Sequence, residues 1–427
     1  MGKWLLMFSF LSHFIFAQTI KQCKYRFDNY LNFKGSLNGR VLFINDAIYI
    51  LDSKGKKEFA IYANEIEVVS RFLIHNSFSK QEIFLKSKGL KKISRSQCDS
   101  LSSKIIDKKK INKLDKNLPL LGYRVAIDPG HTAVALAEAQ IEQKFLYFVK
   151  DSINHPNDTI KLFESALTFN TALLVQKMLE EQGAKVLITR SQDNYNSFNC
   201  NYVTWINNNK TRVLDSLKTL KVLPPDKYKK LSKMSDRDLF WEFFRDFDLN
   251  NRSKIMNDFE PHVSLIIHYN VDEKNEPWKQ ATKKNYTMAF IGGAFTGDNL
   301  DKPENKIHFL RLLLTDQLDQ SEKLASQSVI CSSKNLCIPV ASQFDASYLK
   351  DNCLFTGSAG VFSRNLNLCR LINSPLVYGE SLYQDNEHEC EALMKTDVNY
   401  KNIKTNDRTL LVAKSYYQAV FNFLKKH

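Results

Sequence analysis

The apolar and polar positions divide the chain into stretches of different rhythm. Between 18 and 93 the apolar runs are short, at 41–44, 47–51 and 59–63, and Asn45-Asp46 and Ser53-Lys54-Gly55 interrupt them. Short runs broken by turn residues predict strands, so this region reads as a small β-rich N-terminal domain. Over 94–119 lysines dominate and large apolar residues are few, which predicts a basic linker.

The rhythm changes at Leu120. A strand pattern at 123–127 stops at Asp128-Pro129-Gly130-His131, where Pro and Gly start a loop. Residues 163–182 carry Leu167, Leu174, Val175, Met178 and Leu179 at helical spacing, Gly183 ends that helix, and 184–189 is the next strand. Strand, helix, strand predicts an α/β fold with a mostly parallel sheet. Further strands are expected at 263–267, running into His268, at 286–291, and at 374–378, running into Glu380. Helices are expected at 250–259, 307–325 and 408–425. Two stretches interrupt this order, 194–247, read as an all-helical insertion, and 296–350.

The first residues change the compartment. Lys3, an apolar run over 4–16 and the small Ala17 read as a signal peptide over 1–17, which predicts a secreted or periplasmic protein. Beyond it no apolar run reaches the roughly 18 residues of a membrane span, so no transmembrane segment is expected after cleavage. The eight cysteines permit disulfides in an exported chain; Cys331 with Cys337, and Cys23 with Cys98, are candidate pairs, and buried free thiols are the alternative. The formal charge of +14 suits a protein that stays near an anionic polymer. Aromatics are not interleaved with the lysines as a nucleic-acid stacking surface requires, so nucleic acid is not an expected partner.

Four ionisable residues stand at element ends: His131 after the first strand of the α/β region, Glu164 in the first turn of the next helix, His268 after the buried strand, and Glu380 after the last. Ligands of open α/β sheets bind outside the carboxyl ends of strands, so these residues are expected at one rim. Two histidines and a carboxylate suit catalytic zinc, which lowers the pKa of water to about 7. A second carboxylate can take that water's proton and deliver it to a leaving nitrogen.

These residues carry a resemblance. Ile127-Asp128-Pro129-Gly130-His131 resembles the opening motif of the zinc-dependent N-acetylmuramoyl-L-alanine amidases of family 3, the AmiC-like cell-wall amidases. Glu164 with its helix, the strand ending in Thr189-Arg190, Leu249-Asn250-Asn251-Arg252, the segment from Ser264 through His268 to Asn270, and the block from Pro375 through Glu380 to Asn386 are similar to that family's later motifs, in its order. The resemblance covers 121–425. It implies zinc held by His131, Glu164 and His268, Glu380 as general acid/base, and a twisted sheet of about six strands flanked by helices. It also implies a substrate, the amide between muramic acid and L-alanine in peptidoglycan, and an activator protein that displaces an inserted lid, for which the two interruptions are candidates.

The chain departs from the family in several places. Thr132 and Ala133 stand where glycines are usual, Ser165 where Lys is usual, Gly379 where an apolar residue is common, Leu382 where Gly is common, and the loop from His131 to Glu164 is long. Glu387 and Glu389 are therefore rivals to Glu380. Asn270 and Arg252 are candidate substrate-binding residues, as is Arg190; an ion pair is the alternative for Arg252. Asp128 orients His131 or caps a turn, and His155, His262, His308 and His388 are expected at the surface. The alternative functions are another zinc peptidase or amidase acting on muropeptides, and a non-catalytic wall-binding protein.

Overall fold

The computed structural model describes residues 19–75, 117–151, 155–275 and 280–426. The expected signal segment, most of the basic linker and Cys98 lie outside the described residues.

The centre is a seven-stranded sheet in the order β10-β11-β9-β12-β8-β4-β7. Its strands are β4 (Arg124–Pro129), β7 (Lys185–Ile188), β8 (Val263–Asn270), β9 (Met288–Gly292), β10 (Cys353–Phe355), β11 (Val361–Arg364) and β12 (Leu376–Tyr383). Strands β7, β4, β8 and β12 run parallel; β9 lies antiparallel to β12, β11 parallel to β9, and β10 antiparallel to β11. The expected strand into His268 is buried at all eight positions of β8, as a strand covered on both faces must be.

Side-chain parity decides what each face carries. Val125, Ile127, Leu265, Ile267 and Val377 point into the main core with α4 (Glu164–Glu180), α10 (Gln317–Leu336) and α14 (Asp407–Lys425). Ala126, Ile266, Leu376 and Tyr378 point the other way, into a smaller core with Met256 of α8 (Arg245–Asp258) and Leu368 of α12 (Asn367–Leu371). Asp128, His268 and Glu380 share the second parity, so the chemistry lies on the α8 side of the sheet.

The two interruptions behave differently. Residues 194–247 carry α5 (Tyr202–Thr219), α6 (Pro225–Ser232), α7 (Asp236–Leu239) and a π-helical turn over Phe240–Phe244 that runs into α8. They build their own aromatic core around Tyr202, Trp205, Phe240 and Phe244. Residues 296–350 instead belong to the main core: α9 (Pro303–Leu314) and α10 bury Leu310, Leu313, Leu318, Leu324 and Val329 there. The single helix expected over 307–325 is two, because Thr315 is extended and breaks it. A hairpin absent from the sequence reading, β5 (Phe145–Asp151) and β6 (His155–Phe163), follows α3 (Leu136–Glu142).

The N-terminal region is β-rich as expected, with an antiparallel sheet of β1 (Val41–Phe43), β2 (Ala47–Leu51) and β3 (Lys57–Tyr62) between α1 (Ile20–Arg26) and α2 (Ile66–His75). It does not stand apart, because its apolar residues share the main core. Arg26 is fully buried and donates to Asp319 at 2.6 and 2.9 Å and to the Leu313 carbonyl at 3.3 Å. Ser70 donates to the Leu314 carbonyl at 2.8 Å, and the Tyr30 carbonyl accepts from Ser363 Oγ and Ala294 N, each at 2.7 Å.

The cysteines depart from one expectation. All seven described cysteines are free, Cys331 and Cys337 among them. Cys331 lies within α10 and Cys337 caps it, so six helical residues hold them about 9 Å apart along the axis. That exceeds the span of a disulfide. Among the described residues no helix is long and apolar enough to cross a membrane.

The Arg26 contact makes a stability prediction. Arg26→Ala leaves a buried carbonyl and Asp319 without their donor, and is expected to destabilise the protein by about 3 kcal/mol, less than for a wholly buried pair because Asp319 reaches solvent. Denaturant titration checks this; an unchanged midpoint would mean that the N-terminal region docks without it.

Candidate active site

The four residues singled out in the sequence stand around one cleft of about 620 Å³. His131 follows β4 in a left-handed backbone conformation (φ 62°), a strained state for a non-glycine residue. It directs the imidazole back toward β8. Gly130 leaves room for that convergence: a Cβ there would fall 2.2–2.6 Å from the His268 ring. The two rings lie 4.9 Å apart at 88°. His268 is also stacked on Tyr378 of β12, at 4.5 Å and 6°.

Glu164 joins the two imidazoles. Its Oε1 lies 2.9 Å from His268 Nδ1 and 3.4 Å from His131 Nε2, and accepts the Tyr269 amide at 3.1 Å. Its Oε2 accepts from Gln384 at 3.1 Å. Burial acts to raise the carboxyl, but His131 and His268 outweigh it and hold the group well below the usual carboxylate range. One ligand atom from each of His131, Glu164 and His268 lies within 4.8 Å of the others. Two imidazoles and a carboxylate gathered this closely are a donor set that suits a divalent cation such as zinc.

Glu380 lines the same cleft from β12, paired in register with His268. Burial, then the neighbouring Glu164, push its carboxyl up to about 8, against Lys144, Arg364 and His131. The rival Glu389 faces away, in an ion pair with Arg408 and a 2.8 Å bond from Asn285.

The remaining candidates lie deeper. Asn270 is buried and donates to Tyr348 Oη at 3.0 Å. Arg252 is 3% exposed; it donates to Asp248 at 2.7 Å and to the Pro129 carbonyl at 3.2 Å, and lies 3.4 Å from Asp128. Those bonds fix the loop beneath His131. Arg190 is likewise committed, to the carbonyls of Gln192 at 2.8 Å and Asp193 at 2.5 Å. His308, expected at the surface, is half-buried, and burial, with Arg311 and Arg370, pushes its imidazole well below the usual histidine range.

A family model described as N-acetylmuramoyl-L-alanine amidase matches residues 125–406. The chain belongs to the N-acetylmuramoyl-L-alanine amidase family. It is a peptidoglycan amidase, a hydrolase of carbon–nitrogen bonds. Among solved structures it is similar to the amidase Ami1 from Mycobacterium smegmatis, at 14% identity over 72% of this chain and 99% of that one, with a TM-score of 0.41. It is also similar to the CwlD amidase from Clostridioides difficile, solved with the GerS lipoprotein (15% identity, 71% and 100%, TM-score 0.38). A third is the catalytic domain of CwlV from Bacillus (Paenibacillus) polymyxa var. colistinus (14%, 71% and 98%, TM-score 0.36). No curated protein sequence matches the chain.

The amidase's departures from its family acquire physical reasons. Where glycines are usual, the Thr132 and Ala133 amides both donate to the Glu142 carboxylate, at 3.1 and 2.9 Å. Ser165 donates to the Asp193 carbonyl. At Gly379 a Cβ would fall 2.0 Å from Tyr416 Oη, so glycine there admits the α14 tyrosine.

Sequence reasoning missed several cleft residues. Glu142 is buried, and its Oε1 lies 3.2 Å from His131 Nδ1, the ring nitrogen turned away from Glu164. The carboxylate thereby orients the imidazole. The one signal was the unusual length of the 131–164 loop, which supplies both Glu142 and Lys144 to the cleft. Tyr378, and Gln384 which bonds Glu164, lie within the motif block from Pro375 to Asn386 but were not singled out there, and Arg364 had no signal. The 194–247 insertion also reaches the cleft, through Phe240, Trp241, Phe244 and Arg245. Trp241 Nε1 donates to the Ile141 carbonyl at 3.0 Å, tying the insertion to the long loop.

Glu142→Gln is expected to weaken binding of a divalent cation about 10–100-fold, the usual cost of losing a carboxylate behind a ligand histidine. Competition against a chromogenic chelator measures it, and an affinity equal to the parent's would remove Glu142 from the site.

Proposed function

We propose that the amidase hydrolyses the bond between N-acetylmuramic acid and L-alanine with a zinc ion held by His131, Glu164 and His268. The observation that carries this is the meeting of those three side chains, from three separate elements, beside a fourth carboxyl. Zinc bound there supplies a Lewis acid that acidifies water and polarises an amide carbonyl.

The chain's own residues do the rest. Glu142 holds the His131 ring, and Gln384 and the Tyr269 amide hold Glu164, so the ligand set is organised in advance. Glu380 takes the proton of the attacking water and returns it to the alanine nitrogen, which leaves poorly unless protonated. Its raised pKa keeps the carboxyl near the balance point that both transfers need. Burial of Glu164 and His268 excludes bulk water from the ligands.

We read residues 194–247, rather than 296–350, as the lid that a partner protein displaces. Only the first has an aromatic wall on the cleft, and only the first has a core of its own with which to move. The protein's place is the cell envelope, secreted or periplasmic, where its substrate lies.

Glu380→Gln is expected to retain zinc and lose about 10²–10⁴-fold in turnover on purified sacculi. Chelation of the parent is expected to abolish cleavage, with restoration by added zinc. Mass analysis of the digest should show intact stem peptides with a free alanine amine; fragments cut within the stem would make it a peptidase instead, and normal turnover by Glu380→Gln would move the acid/base role elsewhere. For the lid, Trp241→Ala removes the bond to Ile141 and is expected to raise turnover on sacculi; a lowered rate would make Trp241 part of the substrate wall.

A further inference from the structure

Besides His131, Glu164 and His268, the cleft is lined by Arg245, Arg252, Arg364 and Arg370. Phe362, Phe290 and Tyr378 form one cross-strand row over β11, β9 and β12. Glu380 lies two residues beyond that row in β12 and Arg364 two residues beyond it in β11, on the same face. The two strands run in opposite directions, so the backbones of Arg364 and Glu380 diverge. The Arg364 side chain folds back over the row: its guanidinium carbon lies 5.2 Å from the Phe290 ring centroid and 5.0 Å from that of Tyr348.

The other arginines of the cleft are engaged. Arg252 is bound to Asp248, Arg245 to Asp246 at 3.2 Å, and Arg370 to the side-chain oxygens of Asn365 at 2.7 Å and Asn367 at 3.2 Å. The Arg364 guanidinium has no hydrogen bond or ion pair to any described residue. A guanidinium laid against ring faces keeps its N–H edges clear in the plane, and those edges match a carboxylate in a two-point bond.

We propose that Arg364 determines specificity for a substrate carboxylate: it binds the free carboxylate on the second residue of the stem peptide, while the alanine amide lies at Glu380 and the metal ligands. This rests on the amidase reading above. The spacing supports it. The row that carries the guanidinium lies two strand residues, roughly 7 Å, from Glu380, and an extended peptide covers that distance in about two residues. The second residue of a peptidoglycan stem is a glutamate linked onward through its side chain, which leaves its α-carboxylate free. The unmodified charge is therefore part of what the enzyme reads, and amidation of that carboxylate makes a poorer substrate.

A role confined to tuning Glu380 is separable by substrate. The probes are two muramoyl tripeptides, identical except that the glutamate α-carboxylate is free in one and amidated in the other, given to the zinc-loaded full chain. The parent is expected to prefer the free acid by about tenfold in kcat/KM, the scale of a charged hydrogen-bonded pair. Arg364→Met is expected to abolish that preference, by raising KM for the acid more than for the amide, so that kcat/KM becomes the same on both probes, and Arg364→Lys to restore part of it. Equal loss on both probes would assign Arg364 to Glu380 or to the fold and overturn the subsite, as would a parent that cleaves both probes equally well. A parent that cleaves neither probe and releases nothing from sacculi would instead overturn the amidase reading, and the subsite with it.

Discussion

Glu164 is a carboxylate at the first turn of a helix, shut away from water, in contact with two imidazoles that arrive from different strands. A buried charge of this kind is costly unless it is surrounded by partners. Here the partners are His131, His268 with the adjacent Tyr269 amide, and Gln384, drawn from three separate parts of the chain. The start of α4 also favours negative charge through the helix dipole. Satisfying that one group therefore requires β4, α4, β8 and the segment after β12 to end at the same rim. The parallel order of β4, β8 and β12 delivers this directly, and the cleft opens where they stop.

Much of this arrangement was legible in the sequence, because strand and helix ends are written locally. Pro129 and Gly130 mark the end of β4, the mostly apolar run over 263–267 marks β8, and Gly183 marks the end of α4. The strand ends place His268 and Glu380 at one rim; that their side chains share a face follows from the pairing of β12 with β8, where the two residues are in register. Orientation was less accessible. That His131 takes a positive φ, and that Gly130 is needed because the His268 ring fills the space of a Cβ, depend on residues some 137 positions apart in the chain. The break between α9 and α10 was hidden because apolar spacing continues through Thr315 and Asp316; only the extended backbone at Thr315 separates the two helices.

Domain organisation was the least legible level. A polar, lysine-rich stretch reads as a boundary whether or not the regions on either side share a core. The buried Arg26 gives no hint in the sequence that Asp319, 293 residues later, is its partner. Likewise both interruptions look alike in composition, yet 296–350 covers the sheet while 194–247 folds around its own aromatic residues. The difference lies in which apolar faces meet, and that information is long-range.

The departures from the family pattern show the same principle at the scale of single side chains. Glu142, from the lengthened segment, accepts from the backbone amides of Thr132 and Ala133 while holding the His131 ring, so the long segment and the loop after His131 are tied together. An apolar residue before Glu380 would occupy the space that Tyr416 takes against Gly379, and Tyr416 Oη in turn lies 3.0 Å from Ser381 Oγ, one residue beyond Glu380. In each pair the local change is intelligible only with its distant partner, so a motif comparison that scores positions one at a time registers two losses where the fold has made one exchange. The meeting of Glu164 with its two imidazoles survives because the constraint acts on that buried carboxylate, and the surrounding residues are free to change as long as they change together.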